Sequence, residues 1–196
     1  MERAAEATLD RPSSTSANGL ELTSANPDAT RALAARLASV AEPGDVVCLW
    51  GELGAGKTVF AKGFGAGLGV RDTISSPSFV LMGEYQGRLP LFHIDLYRLT
   101  SAMEAFDGGL LDDRQAAGVV LIEWPDRLGD AVPGDRLDVR IEGGGDEPRR
   151  IALDASGAAH RRYVEVAKGA DAAKRADAAK GPDAATGAGG ANGAGT

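Results

Sequence analysis

Residues 51–58 read Gly-Glu-Leu-Gly-Ala-Gly-Lys-Thr and match the phosphate-binding loop pattern G-x-x-x-x-G-K-[ST]. In this pattern the glycines let backbone N–H groups surround a phosphate, and the following helix points its N-terminus at the anion. The lysine bridges phosphate oxygens, and the Ser/Thr hydroxyl serves Mg²⁺. The spacing therefore predicts a site for ATP with Mg²⁺. The residues predicted to contact the nucleotide through this loop are Glu52, Leu53, Gly54, Ala55, Gly56, Lys57 and Thr58.

The flanking residues fit the strand and helix that such a loop requires. Residues 46–50 are apolar and suit a buried strand, whereas residues 59–64 can form a helix. Between residues 20 and 166 the only lysines are Lys57 and Lys62, and the other cationic side chains are arginines. A slim ammonium reaches into the loop where a planar guanidinium fits poorly. The position of Lys57 therefore favours a functional loop over a chance match in a glycine-rich chain.

A glutamate directly follows a continuous apolar run. Residues 119–122 are Val-Val-Leu-Ile, which is typical of a central strand covered on both faces, and Glu123 comes next. Mg²⁺ requires octahedral oxygen ligation, and an acid at the end of a strand beside the loop strand suits a second metal ligand, directly or through water. We predict that Thr58 and Glu123 serve the metal. A solvated carboxylate at a strand end is the alternative.

A second acid, Asp95, closes another β-prone run. It could orient the attacking water or hold metal-bound water, or it could form an ion pair with Arg98, and the spacing leaves both open. His93 shares the strand face of Asp95, and we interpret it as a hydrogen-bonded structural histidine rather than a catalyst. Residues 75–78, Ser-Ser-Pro-Ser, fit a switch segment that senses the γ-phosphate, or an ordinary turn.

The elements that would position these side chains alternate between helix and strand. Asn26-Pro27-Asp28 predicts a helix start, and Ser101 with Glu104 predicts a capping box. Two hairpins are predicted, one over residues 79–95 and one across residues 143–145. Residues 158–166 fit either a helix or a strand. The order predicts an α/β fold: a single small P-loop NTPase domain with three α/β/α layers and a mixed parallel and antiparallel sheet.

Composition divides the 196 residues into three parts. Residues 1–19 and 167–196 lack the apolar side chains that would offset chain entropy, so we expect a disordered N-terminal extension and a disordered Ala/Gly/Asp/Lys-rich tail. Residues 20–166 form the predicted ATPase domain. The sequence has no signal-peptide pattern and no apolar run of bilayer length, and its single cysteine, Cys48, falls in a predicted buried strand. We expect a soluble, cytoplasmic protein without membrane association.

Charge argues against strong nucleic-acid binding. The net charge is −7, and because the head carries −1 and the tail +1, residues 20–166 carry all −7. An acidic domain repels polyanions, so we expect no strong direct contact with nucleic acid. The mildly basic tail is interpreted as a solubilising extension, with a nucleic-acid arm as the alternative.

Taken together, these motifs resemble the TsaE (YjeE) family of ATPases in tRNA threonylcarbamoyladenosine biosynthesis. The resemblance lies in the phosphate loop, in Ser-Pro-Ser-Phe at residues 76–79, in His-Ile-Asp-Leu-Tyr-Arg-Leu at 93–99, and in Ile-Glu-Trp-Pro at 122–125. It covers about residues 20–166. Ser78 stands where the family usually has threonine, and Ile94 replaces an aromatic residue; neither change removes a reactive group.

The resemblance implies a small P-loop domain that binds ATP and Mg²⁺, hydrolyses ATP slowly and acts with the TsaB and TsaD proteins. It implies catalytic roles for Lys57, Asp95 and Glu123, and cofactor contacts from Ser78 and Trp124 in addition to the loop. Two other hypotheses stay open at this point. One is a nucleotide-gated interaction module with little hydrolysis, and the other is a small-molecule kinase.

Overall fold

A seven-stranded mixed sheet forms the centre of the fold in the computed structural model, which describes residues 19–179. The strands are β1 (Gly19–Ser24), β2 (Asp45–Trp50), β3 (Met82–Tyr85), β4 (Leu91–Asp95), β5 (Val119–Glu123), β6 (Arg136–Glu142) and β7 (Arg149–Ser156). The α-helices are α1 (Pro27–Ala38), α2 (Lys57–Gly67), α3 (Ala102–Asp107) and α4 (Arg161–Ala179). Short 3₁₀ helices occupy Asp113–Ala117 and Pro125–Ala131.

The strand order brings the ends of three parallel strands together. The order across the sheet is β1-β7-β6-β2-β5-β4-β3, and β6, β2, β5 and β4 run parallel. The antiparallel strands β3, β7 and β1 extend this parallel centre on its two sides. In register, Leu49 of β2 is opposite Glu123 of β5, and Glu123 is opposite Asp95 of β4. Glu123 therefore lies beside the strand that leads into the phosphate loop, and Asp95 lies one strand further along the same edge.

Alternate residues of the central strands enter two separate hydrophobic cores. Leu49 and Leu121 pack in one core with α1, α2 and α4, whereas Cys48 and Ile122 pack in the other with α3 and Leu128 of the second 3₁₀ helix. Because successive strand residues point to opposite faces, helices cover both sides of the sheet. The predicted three-layer α/β/α fold with a mixed sheet is confirmed.

Two glycines let α2 pack closely against α1. A Cβ atom on Gly63 would lie 2.4 Å from the carbonyl oxygen of Arg31, and one on Gly67 would lie 2.3 Å from that of Ala35. Both distances are far below van der Waals contact, so only glycine fits at these positions. This close contact holds α2, and with it the loop that α2 follows, against the rest of the domain.

Of the two predicted helix caps, the one at Asn26 forms and the one at Ser101 does not. Asn26 caps α1 as expected, and its side chain accepts a hydrogen bond from the Ala29 N–H at 2.9 Å. α3 begins after Ser101, but the predicted capping box is wrong because the Ser101 side chain makes no capping hydrogen bond. Glu104 instead accepts a 2.5 Å hydrogen bond from the Thr100 hydroxyl. A capping box forms at Asp112, before the first 3₁₀ helix.

The boundaries of the folded domain also differ from those predicted. Strand β1 was not predicted, and β3 begins at Met82 rather than at Phe79. Helix α4 resolves the ambiguity over residues 158–166 and continues past the predicted boundary at 166 to Ala179. Ala167 is fully buried against the core, so the folded part includes residues that were predicted to belong to the disordered tail. Residues 1–18 and 180–196 of the predicted extensions lie outside the described residues.

A buried aspartate ties α4 to the start of the loop strand. Asp45, the first residue of β2, accepts a 2.6 Å hydrogen bond from the Tyr163 hydroxyl and is also contacted by the Arg162 guanidinium. Next to it, the Val46 N–H donates to Nε2 of His160 at 3.3 Å. These contacts fix one end of β2, whose other end leads into the phosphate loop.

Tyr163→Phe should lower the free energy of unfolding by about 1.5–3 kcal/mol, because it removes a buried hydrogen bond to a charged group. Urea unfolding monitored by circular dichroism measures this change. Lys168→Ala is the matched control, since it removes an exposed α4 side chain that pairs with Glu165. Equal midpoints for Tyr163→Phe and the control would show that the hydrogen bond from Tyr163 to Asp45 does not stabilise the fold.

Candidate functional site

The loop between β2 and α2 forms an open cradle of backbone groups. Gly51, Gly54 and Gly56 have φ values of 147°, 81° and 112°, in a region that favours glycine. A Cβ on Gly51 would lie 2.4 Å from the carbonyl oxygen of Ile141, whereas Gly54 and Gly56 face open space. Gly56, the N-cap residue of α2, has no side chain to cap the helix, so the first N–H groups of α2 are available to an anion.

Lys57 lies across this cradle. Its Nζ donates hydrogen bonds to the carbonyl oxygens of Gly51 at 2.6 Å and Glu52 at 3.0 Å, and it is 3.8 Å from the centroid of the Trp124 ring. Burial lowers the pKa of Lys57, and the nearby carboxylates of Glu123 and Asp95 partly oppose that change. The lysine is therefore a buried cation that links the loop to the strand ends behind it.

Glu123 is held by a hydroxyl and an imidazole. The Thr58 hydroxyl donates to Oε1 of Glu123 at 3.2 Å, and Nε2 of His93 lies 2.9 Å from the same oxygen. His93 is fully buried, and its Nδ1 has no hydrogen-bond partner among the described residues. A neutral ring with its hydrogen on Nε2 fits best, because a buried Nδ1–H without an acceptor would be costly. His93 is thus hydrogen-bonded, as the sequence predicted.

Asp95 is held by the segment that the sequence marked as a candidate switch. Its Oδ2 accepts hydrogen bonds from the hydroxyls of Ser76 at 2.5 Å and Ser78 at 2.7 Å, and its Oδ1 accepts one from the Tyr97 N–H at 3.0 Å. Burial by itself would raise the pKa of Asp95, but these hydrogen bonds outweigh it and hold the pKa below its usual value.

The alternative of an ion pair between Asp95 and Arg98 is wrong within residues 19–179. Arg98 turns away, and its guanidinium lies 4.3 Å from the centroid of the Phe79 ring. Phe79 and Val80 follow Ser78, and their exposed fractions are 86% and 73%. The segment that contacts Asp95 through its serines therefore presents apolar side chains to solvent.

Trp124 adopts a backbone conformation that few non-glycine residues take. Its φ is 61°, in the left-handed region, directly after β5 ends at Glu123. The indole ring packs against Tyr97, with 5.0 Å between centroids, and against the Lys57 ammonium. A strained residue that is held in place by its neighbours is common at functional sites. Here the strain places an aromatic ring beside the loop lysine.

The oxygen atoms at this edge suit Mg²⁺ that is bound together with phosphate better than a metal ion held by protein ligands alone. Thr58 and Glu123 provide a hydroxyl and a carboxylate that already lie in contact. Across residues 19–179 there is no group of three or more His, Cys, Asp or Glu residues that could hold a metal. Mg²⁺ usually keeps several waters and takes phosphate oxygens as well, so it needs few protein ligands. The residues present fit such an ion.

Comparison with known proteins agrees with this geometry. The family model for the threonylcarbamoyl adenosine biosynthesis protein TsaE matches residues 24–151. The chain belongs to the TsaE family.

Individual TsaE proteins match along most of their length. The tRNA threonylcarbamoyladenosine biosynthesis protein TsaE of Bacillus subtilis is 42% identical over 141 residues, covering 71% of this chain and 88% of the relative. That of Streptomyces coelicolor is 37% identical over 134 residues, covering 65% and 90%. The crystal structure of YdiB from Bacillus subtilis superposes with a TM-score of 0.60 at 38% identity, covering 81% of this chain and 96% of that one.

In this TsaE family member, most of the residues predicted for the site lie at one edge of the sheet. Lys57 contacts Trp124, Thr58 contacts Glu123, and Glu123 is in register with Asp95. Ser78 joins them through Asp95, and within the loop Ala55 is buried whereas Leu53 is exposed. No helix within residues 19–179 has the length and hydropathy to span a bilayer.

Two residues at the site carried no assigned role in the sequence. Tyr97 packs on Trp124 and donates its N–H to Asp95, and its position two residues after a strand-end acid was the available signal. Arg149 donates from Nε to the Ala55 carbonyl at 3.0 Å. It lies 94 residues from Ala55 in the chain, and no local pattern points to this contact.

Replacing Ser76 and Ser78 together by alanine should raise the pKa of Asp95. Burial, which favours the neutral acid, would remain, while two hydrogen bonds to the carboxylate would be lost. Because the wild-type pKa is depressed, Asp95 stabilises the fold above its unfolded pKa, and this contribution disappears as the pH falls through its folded pKa. The double variant should therefore be destabilised more at neutral pH than in acid.

A carbon-detected NMR titration of the Asp95 carboxyl, with urea unfolding at neutral and acidic pH, measures both effects. Thr100→Ala is the control, since it removes a hydroxyl that contacts a different acid, Glu104. An unchanged Asp95 titration in the double variant would contradict the role assigned to the two serines.

Proposed function

We propose that this TsaE family member binds ATP with Mg²⁺ and hydrolyses it slowly, and that this turnover acts on the TsaB–TsaD complex during tRNA threonylcarbamoyladenosine modification in the cytoplasm. The observation that carries the proposal is the convergence of a helix N-terminus, a lysine, a hydroxyl and two carboxylates at one edge of the sheet. These groups together are the ones that phosphoryl transfer to water requires.

Phosphate binding is assigned to the loop and to Lys57. The uncapped N–H groups at the start of α2, with the open backbone at Gly54 and Gly56, provide donors for phosphate oxygens. The Lys57 ammonium donates hydrogen bonds to the carbonyl oxygens of Gly51 and Glu52. A triphosphate offers it stronger, charged acceptors at the same place.

Thr58 and Glu123 are the residues that would hold Mg²⁺, with His93 orienting Glu123 from behind. The bound ion supplies neutralisation of the charge on the phosphate oxygens. The shared contact of Thr58 and His93 with one oxygen of Glu123 keeps this carboxylate in place before any ligand enters. Trp124 shields the Lys57 ammonium from water on one side and strengthens its electrostatic interactions.

We assign to Asp95 the role of orienting the water nucleophile. Its depressed pKa keeps the group ionised at neutral pH, so it can accept a hydrogen bond from water. It lies beside Glu123 in register, on the face of the sheet that carries α2. Catalysis would then consist of positioning and charge neutralisation, with Lys57 as the cation from this chain. Since Arg98 packs on Phe79, further positive charge from a partner would accelerate a slow isolated enzyme.

A nucleotide-gated interaction module is the second candidate, and one observation favours it. Ser76 and Ser78 bind Asp95, while the next two residues, Phe79 and Val80, are strongly exposed. A change at Asp95 would therefore move apolar side chains that a protein partner could contact. In this candidate, binding of ATP suffices and hydrolysis contributes little.

Lys57→Ala and Asp95→Asn should separate binding from hydrolysis. Loss of the lysine should weaken ATP binding by at least roughly tenfold, because it removes a charged hydrogen bond to phosphate. Asp95→Asn should keep the affinity within a few-fold and lower turnover by roughly 100-fold. Calorimetry with Mg²⁺ and ATP gives the affinities, and phosphate release gives the turnover.

Lys62→Ala and Asp107→Asn are the matched controls, because both remove exposed charges that lie outside residues 51–58. If wild-type protein gave no heat of binding with ATP, the proposed nucleotide site would be wrong. If Asp95→Asn also kept its activity in tRNA modification, the gated-module candidate would replace hydrolysis.

Addition of TsaB and TsaD should raise ATP turnover by at least about tenfold, because extra charge and ordering supplied by a partner stabilise the transition state. Steady-state phosphate release by the purified protein, alone and with both partners, measures the effect. Lys57→Ala with the same partners controls for a contaminating ATPase. A turnover rate that the partners leave unchanged would contradict the proposed action on the complex.

A further inference from the structure

Arg149, the first residue of β7, joins the phosphate loop to the β6–β7 hairpin. Its Nε donates to the Ala55 carbonyl at 3.0 Å. Its two terminal nitrogens donate to backbone carbonyls of the hairpin turn, to Gly144 at 3.2 Å, to Gly145 at 2.8 Å and to Glu147. One guanidinium therefore connects the loop between β2 and α2 to a turn about ninety residues later in the chain.

Strand alternation directs Arg149 to this place. Arg149 shares its strand face with Ile151 and Leu153, which pack in the core beneath α1 and α2. Its neighbour Arg150 points to the opposite face, is 59% exposed and pairs with Glu142 and Glu21. The two consecutive arginines thus have different surroundings, and only the first reaches the loop.

The bond to Ala55 constrains the next N–H group. Peptide bonds in residues 19–179 are trans, so the Ala55 carbonyl and the Gly56 N–H point in opposite directions from one rigid plane. Arg149 holds the carbonyl on the side of the hairpin, and the Gly56 N–H must then face the other way, into the cradle. Gly56 is the residue that most needs such a constraint, since glycine tolerates many backbone conformations.

The hairpin also supports the loop at its first residue. Gly51 approaches β6 so closely that a Cβ would lie 2.4 Å from the Ile141 carbonyl oxygen. Ala55 is itself buried in the core, which fixes the Cα end of its peptide. The loop is therefore held from behind by β6 at Gly51 and by β7 at Ala55, while its front stays open.

We infer that Arg149 is a positioning residue for the phosphate cradle, which fixes the Ala55–Gly56 peptide so that the Gly56 N–H faces the bound phosphate. The inference rests on the proposed nucleotide site and extends it to a distant side chain. A planar guanidinium suits the task because its donors diverge in fixed directions, so one side chain reaches both the loop and the turn. A lysine would supply a single ammonium and serve one of these acceptors well.

Arg149→Gln tests the inference, with Arg150→Gln as the matched control on the adjacent residue. Arg149→Gln should weaken the affinity for ADP with Mg²⁺ by roughly tenfold or more, because an unconstrained peptide must be ordered on binding. Arg150→Gln should stay within twofold of wild type. Arg149→Lys should fall between them, and it serves as the test if the glutamine variant does not fold. Isothermal titration calorimetry measures the affinities, and thermal unfolding without nucleotide checks the fold.

The Gly56 amide resonance separates positioning from a general loss of structure. In wild-type protein saturated with ADP, its proton should shift downfield as the N–H donates to phosphate, and in the Arg149 variant this shift should shrink. Equal affinities for the two glutamine variants, or a full Gly56 shift in saturated Arg149→Gln, would overturn the inference. Failure of wild type to bind ADP would be seen first and would instead remove the proposed function on which the inference rests.

Discussion

Charge balance at the carboxyl edge of the sheet depends on Lys57. Asp95 and Glu123 end adjacent parallel strands in register, and both are almost fully buried. Two carboxylates on directly opposite residues of neighbouring strands repel each other, and burial disfavours the charged form of both. Lys57 is buried with them, and both carboxylates oppose the lowering of its pKa. The remaining support comes from neutral donors: Thr58 and His93 for Glu123, and two serines and a backbone N–H for Asp95.

This arrangement explains why the parallel centre of the sheet matters for the site. Parallel strands end at the same edge, so β2, β5 and β4 deliver the loop, Glu123 and Asp95 side by side. The strands on the other side of β2 have a different role. β6 contacts the loop at Gly51 through the Ile141 carbonyl, and β7 contacts it at Ala55 through Arg149. Helix α4 fixes the opposite end of β2 through Asp45. The loop is thus constrained by three separate parts of the chain.

Features that depend on local sequence were the ones that could be predicted. The loop, the Asn26 cap, both hairpins and the buried strand before Glu123 follow from spacing and residue type over a few positions. The family resemblance added the link from Asp95 and Trp124 to the same site. The Ser101 cap failed because Glu104 found a nearer donor in Thr100, a choice between neighbours that composition does not decide.

Features that depend on distant contacts were missed. Strand β1 has a short alternating pattern, and it forms because β7 offers an unpaired edge. Helix α4 continues past residue 166 because Ala167 finds a place in the core, which an alanine-rich stretch does not reveal. Phe79 and Val80 are strand-prone residues that stay out of the sheet, since the chain before Met82 is held at Asp95 by Ser76 and Ser78. Arg149 belongs to the same class, because its loop contact exists only once β7 is placed.

The serine contacts make Asp95 the link between the site and the exposed segment. A carboxylate has about four acceptor positions, and three donors already occupy Asp95, so one water can join without displacing a serine. Orienting water and holding the segment are therefore compatible. A positive charge or a further donor that contacts the same oxygens would weaken the hydrogen bonds from Ser76 and Ser78, because the donors then share one acceptor. The conformational order of Phe79 and Val80 should then depend on which ligand is bound beside Asp95. By linkage, a partner that binds those two side chains should change the affinity for nucleotide.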